Sequence, residues 1–125
     1  MHESEISARK VVESFIEGYN KRDRDAILNT LQFPHIRIAS GRVAVANDPS
    51  AYHTGLGYLI KQEGWDRSTL DLAEIVQASN DKVHLKIEFS RYKDEGSKYV
   101  THKALYIVTK VHDRWGIQFR SSFAP

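Results

Sequence analysis

The second half of the chain constrains the fold most. From Trp65 to Phe123 apolar and polar residues alternate, and the alternation breaks at "SND", "DEG" and "HD". A period of two marks a β-strand with one buried face. The breaks divide the run into strands over about 65–78, 82–93, 98–111 and 114–123. Turn length then sets register. A tight turn at His112-Asp113 pairs Val108 with Ile117, Tyr106 with Phe119 and Ala104 with Ser121. A tight turn at Glu95-Gly96 pairs Phe89 with His102, Ile87 with Ala104 and Leu85 with Tyr106. The two choices agree. One face then carries Val83, Leu85, Ile87, Phe89, His102, Tyr106, Val108, Trp115, Ile117 and Phe119. A three-residue loop in place of the tight Glu95-Gly96 turn would set His102 opposite Glu88 and scatter the apolar residues. The face they share is expected to meet helices.

Those helices are expected from the first half. Ser4 or Ser7 caps a helix whose apolar stripe runs through Val11, Val12, Phe15, Ile16 and Tyr19. Asn20 suits its end, and Asp23 caps a shorter helix through Ala26, Ile27, Leu28 and Leu31, stopped by Pro34. "HIRIASGRVAVA" then reads as a hairpin turning at Ser40-Gly41, with Ile36 opposite Val45 and Ile38 opposite Val43. By alternation His35 and Arg37 fall on the opposite side from that apolar strip. This favours the solvated face for Arg37 and leaves His35 open. Asp48-Pro49 opens a third helix, carrying Tyr52, Leu56, Leu59 and Ile60 on one face and ending near Gly64.

Helices first and long antiparallel strands later give an α+β chain, with N-terminal helices packed in the concave face of a curved sheet. No repeat, low-complexity run or Pro/Gly linker divides it, so residues 1–125 are expected to form one domain. With 41% hydrophobic and 27% charged residues it is composed like a globular domain. Its net charge is only +2, with both signs interspersed, which argues against nucleic acid as a partner. There is no cysteine, which removes disulfides, thiol nucleophiles and thiolate metal ligands. The six histidines show no HxH or HxxxH spacing, so no metal is expected. There is no GxGxxG or P-loop motif, and no cofactor is expected. No apolar window approaches the roughly 20 residues of a membrane span, and no secretion signal is visible. A cytoplasmic location is the expectation.

The order of elements carries a resemblance. A start with "FIEGYNKRDRDAILNTL", then a hairpin, a third helix and strands ending "YIVTKVHDRWGIQFRSSF" resembles the NTF2-like superfamily. This is the cystatin-like cone of SnoaL-type polyketide cyclases, ketosteroid isomerases and scytalone dehydratase. The most specific parts are Tyr19-Asn20 with Asp23, and Arg114-Trp115 with Ile117. The resemblance implies a deep pocket between helices and sheet, and often a homodimer through the sheet's outer face. Here Leu105, Ile107, Gln118 and Arg120 would supply that face. It does not imply a reaction. Ketosteroid isomerases place a donor tyrosine where this chain has Phe15, and a proton-shuttling aspartate where it has "IRIAS". Both departures remove atoms that the mechanism needs. The Tyr19 hydroxyl, one turn later, could replace only the donor.

Candidate residues follow from the pocket face. His102, beside Phe89 and Tyr106, is placed to act as a base, or else is a core histidine with a structural hydrogen bond. Tyr106 and Tyr19 offer hydroxyls for the same chemistry. Phe15, Tyr52, Phe89 and Trp115 are candidate pocket walls, with His35 near the entrance. Arg91, at the strand end, either holds an anionic ligand or stands in solvent. Three functions fit: binding of a small apolar or weakly acidic molecule; a lyase, isomerase or cyclase using His102 with a tyrosine; or a dimeric interaction module with a filled cavity.

Overall fold

The computed structural model describes residues 2–124. Helix α1 (Glu3–Asn20) lies across a six-stranded sheet of β1 (Leu31–Ala39), β2 (Arg42–Ala46), β3 (Trp65–Ala78), β4 (Lys82–Lys93), β5 (Lys98–Val111) and β6 (Arg114–Ser122). The strand order is β2-β1-β6-β5-β4-β3. All neighbours are antiparallel except β1 and β6, which run parallel. The β3–β4 ladder shifts register after Trp65, Leu70 and Ile75. Such bulges bend and twist a sheet, and here they curl β3 and β4 toward α1. No helix among the described residues is long and apolar enough to cross a membrane.

The core forms where α1 meets the concave face. Ala8, Val12 and Phe15 of α1 pack with Val83, Leu85 and Ile87 of β4, Tyr106 and Val108 of β5, and Ile117 of β6. The β4–β5 register is the expected one, with Phe89 opposite His102 and Leu85 opposite Tyr106. Helix α1 starts earlier than Ser4: His2 is its cap, and the Glu5 carboxylate accepts from the His2 backbone N–H at 3.2 Å. Asp23 caps α2 (Arg24–Leu28) by accepting from the Ala26 N–H at 3.1 Å. Where α1 approaches α2, a Cβ on Gly18 would sit 3.0 Å from the Ile27 side chain. Gly18 is therefore what lets the two helices meet.

Three expectations are corrected. Helix α2 stops at Leu28, and Leu31 already belongs to β1. Pro34 therefore lies within a strand, in the irregular stretch between Leu31 and Ile36 where no ladder N–H is required. Second, the hairpin faces the other way. Val43 and Val45 are 65% and 54% exposed, whereas His35 is 2% exposed. The pairing of Ile36 with Val45 and Ile38 with Val43 is as expected, but that strip lies on the outer face. Third, the helix expected from Asp48 to Gly64 is broken. Asp48 caps only a 3₁₀ turn, Pro49–Ala51, and the chain then extends through Tyr52 to Gly55 in the left-handed region at φ 72°. Helix resumes as α3 (Leu56–Tyr58) and a π-helical turn, Leu59–Glu63, ended by Gly64 at φ 70°. Glycine at 55 and 57 weakens helix across that break.

The β5–β6 ladder supplies the correction that matters most. Val108 pairs with Ile117 as expected, but Ile107 pairs with Phe119, leaving Gln118 as an extra residue. Beyond it every side chain of β6 changes face. Phe119, expected inside, joins Ile107 on the outer face. Arg120, expected outside, pairs with Tyr106 on the inner one.

Candidate functional site

Between α1, the 52–63 segment and the sheet lies a cavity of about 530 Å³. Its apolar walls are Phe15 and Ile16 of α1, Leu59 of the π-helical turn, Trp65 of β3 and Phe89 of β4. Its charged lining is mostly cationic. Arg37, Arg42, Arg91 and Arg120 reach it against one carboxylate, Glu63. Two polar clusters organise these groups.

The first is a row of hydrogen bonds centred on Arg120. Its Nε donates to Nε2 of His35 at 3.1 Å, and its Nη2 donates to the Tyr52 hydroxyl at 3.2 Å. A guanidinium only donates, so His35 accepts at Nε2 and carries its proton on Nδ1, which donates to the Ile117 carbonyl at 2.8 Å. The Tyr19 hydroxyl donates to the Thr54 carbonyl at 2.8 Å. Having spent its only hydrogen there, it accepts from Tyr52 across their 2.8 Å contact. Every proton in the row is thereby placed. Rings support the same row: His35 meets Tyr52 edge-on at 5.6 Å, and the Arg120 guanidinium lies 5.0 Å from the centroid of Phe15. Burial, then the neighbouring Arg120 cation, pulls the His35 pKa down to about 4. Burial, followed by the Tyr52 hydroxyl, pushes Tyr19 well above its ordinary value. Burial raises Tyr106 as well. Both hydroxyls therefore stay protonated at neutral pH.

The second cluster lies at the other side of the cavity. Arg91 of β4 reaches both carboxylate oxygens of Glu63, at 3.1 and 3.3 Å, and the Tyr99 hydroxyl donates to the same carboxylate at 2.7 Å. Burial and the hydrogen bond to Glu63 raise the Tyr99 pKa. The pair ties the end of the π-helical turn to the sheet. Arg91 is thus neither a solvent-exposed arginine nor an uncommitted cation.

Of the residues singled out from sequence, Phe15, Tyr19, Tyr52, Phe89, Arg91 and Tyr106 line the cavity. Tyr52 does so from the extended stretch before Gly55 rather than from a helix face. His35 lies behind the lining, beneath Tyr52 and Arg120. His102 is on the inner face with its ring 5.4 Å from Phe89, but it is not among the lining residues. Burial, then the Arg91 cation, lowers its pKa. Trp115 lies elsewhere, in a separate shallow hollow beside α1 and α2 with Lys10, Ser14 and Ala26. Arg37, favoured for the wet face, lines the cavity instead. The sequence reading missed Arg120 and Glu63. The bulge that turns Arg120 inward leaves no mark on the apolar alternation, and Glu63 meets Arg91 only through tertiary folding.

A helix laid across the concave face of a curled sheet, with a cavity held between them, defines the class: a cystatin-like cone. The chain belongs to the NTF2-like family described as "NTF2-like protein (DUF6841)", whose family model matches residues 4–120. No curated protein matches the chain. Among solved structures it is similar to a protein of unknown function with a cystatin-like fold from Nostoc punctiforme, at a TM-score of 0.77 and 14% identity. That match covers 96% of this chain and 90% of the other. A ketosteroid isomerase-like protein from Erwinia carotovora matches at a TM-score of 0.71 and 18% identity, covering 98% and 97%. An NTF-2 like protein of unknown function from Shewanella oneidensis matches at a TM-score of 0.70 and 19% identity, covering 98% and 99%. At these identities the likeness establishes the fold alone.

Proposed function

We propose that this chain is a small-molecule-binding protein whose cavity takes a largely apolar molecule with a weakly acidic end. The observation that carries this reading is the cavity itself, about 530 Å³ with aromatic walls and arginines on its floor. A space of that size, with aromatic walls and convergent polar groups, suits a small organic ligand. An interaction module with a filled interior predicts no such volume.

Binding is favoured over lyase, isomerase or cyclase chemistry for a specific reason. A general base must reach the proton that it removes. His102 stands behind the lining, His35 spends both ring nitrogens on Arg120 and the Ile117 carbonyl, and Glu63 is engaged by Arg91 and Tyr99. The test is a pair of mass spectra of the purified protein, native and denaturing. A small excess mass lost on denaturation supports the reading, and its identification names the ligand. A bare protein that also takes up none of a broad metabolite set overturns it.

A homodimer through the outer sheet face belongs to the same proposal. Its support is the apolar surface left exposed there: Ile38 and Leu105 are both 38% exposed, beside Val43 and Val45. A native mass of one chain at micromolar concentration would remove it.

A further inference from the structure

The floor of the cavity holds two cations side by side without a counter-charge. Arg37 of β1 and Arg120 of β6 are register partners across the parallel ladder, both on the inner face. Like charges placed directly opposite in a sheet are destabilising. Among the described residues, neither guanidinium has a carboxylate within 4.0 Å. The partners of Arg120 are neutral: a histidine nitrogen and the hydroxyls of Tyr52 and Tyr106. These fix the plane of the guanidinium and leave it further N–H donors. The Arg37 guanidinium makes no hydrogen bond or ion pair with any described residue.

Arg91 shows how the same cavity treats an arginine that the chain does neutralise. There the protein supplies its own carboxylate, gripped through both oxygens and steadied by the Tyr99 hydroxyl. Arg37 and Arg120, then, lack what Arg91 is given. Half-buried charge is costly unless paired. Burial, then the Arg120 charge, lowers the Arg37 pKa, as expected of a cation waiting for an anion.

We infer that Arg37 and Arg120 form a carboxylate-binding site, which anchors a singly charged organic acid whose apolar body lies against Phe15 and Phe89. This rests on the reading of the cavity as a small-molecule site, and it adds the ligand's charge, anchor and orientation. A planar guanidinium matches a carboxylate through paired hydrogen bonds. Arg120 is the fixed half of the clamp, and Arg37 is the half free to close on the ligand. Inorganic phosphate has no apolar body to lie against Phe15 and Phe89.

The experiment is calorimetric titration near pH 7 with matched acids and primary amides on naphthyl, indolyl, cyclohexyl and decyl bodies. For the body that fits, the acid should bind at least about tenfold tighter than its amide, and added salt should weaken only the acid. Inorganic phosphate should not compete. Arg37→Gln should abolish the preference for the acid over its amide, and Arg37→Lys should keep part of it. The substitution removes no side-chain hydrogen bond within the described protein and relieves a like-charge pair, so a melting temperature no lower than the parent's is expected and confirms folding. Equal binding of acid and amide would overturn the carboxylate site and leave the small-molecule reading standing. So would an acid preference that survives Arg37→Gln. If no member of any pair binds, the small-molecule reading falls, and the carboxylate site falls with it.

Discussion

Arg120 donates through Nε to Nε2 of His35 at 3.1 Å, joining β6 to β1 inside the cavity wall. The contact fixes more than a distance. An arginine N–H has no acceptor role, so the histidine ring is held neutral with its proton on Nδ1, facing the Ile117 carbonyl.

The ring's protonation is directly measurable. In long-range ¹⁵N–¹H spectra near pH 7, His35 should show a protonated Nδ1 and a bare Nε2. A spectrum with the proton on Nε2 would mean that Arg120 does not make this bond in solution.

A second expectation concerns acid. The His35 pKa is about 4 in the fold, against 6.5 for the free side chain. Between those values the unfolded chain binds more protons than the folded one, so stability rises with pH. The contribution is fully present above about pH 6.5 and is lost as pH falls toward 4, amounting to on the order of 3 kcal/mol. Urea unfolding at intervals across this window should show the slope, and His35→Gln should flatten it. An unchanged slope in the variant would place the acid sensitivity elsewhere.

The bulge at Gln118 gives a third. Deleting Gln118 would restore regular alternation in β6, moving Arg120 out and Phe119 in. It would also remove the bonds of Gln118 to Thr109 and the Pro34 carbonyl. The deletion should cost about 3 kcal/mol or more in urea unfolding. A variant as stable as the parent would show that the inward arginine is dispensable to the fold.

Gly116 gives a fourth. A Cβ there would stand 2.8 Å from the backbone of Leu31 and Gln32, where neither side can yield cheaply. Gly116→Ala should lower stability by about 2 kcal/mol in thermal or urea unfolding. Gly57→Ala, which meets nothing within 4 Å, is the matched control.

These cases also show how much was legible in the sequence. The long strands and the β4–β5 register were, because two independent turns demanded the same apolar face, and Phe89 meets His102 as that demand required. The candidate site was legible in part. Phe15, Tyr19, Phe89 and Tyr106 follow from faces that regular alternation predicts. Arg120 does not, because one inserted residue reverses the rule without altering composition. Arg37 was misread, and His35 left open, for another reason. The inner face of the first hairpin borders a polar cavity, so its apolar strip turns outward and the usual link between apolar and buried inverts. Tyr52 reached the cavity by a break in the helix that was expected to carry it.

The row from the Ile117 carbonyl through His35, Arg120, Tyr52 and Tyr19 to the Thr54 carbonyl begins and ends on main chain. Its protons all follow from one orientation, so it has no second arrangement to fall back on. Losing any one hydroxyl orphans a donor on one side and an acceptor on the other, while losing two adjacent hydroxyls orphans little more. The penalties for Tyr19→Phe and Tyr52→Phe should therefore not add, the pair costing less than the sum of the two. Energetically, side chains from α1, β1, β6 and the 52–54 stretch behave there as one residue.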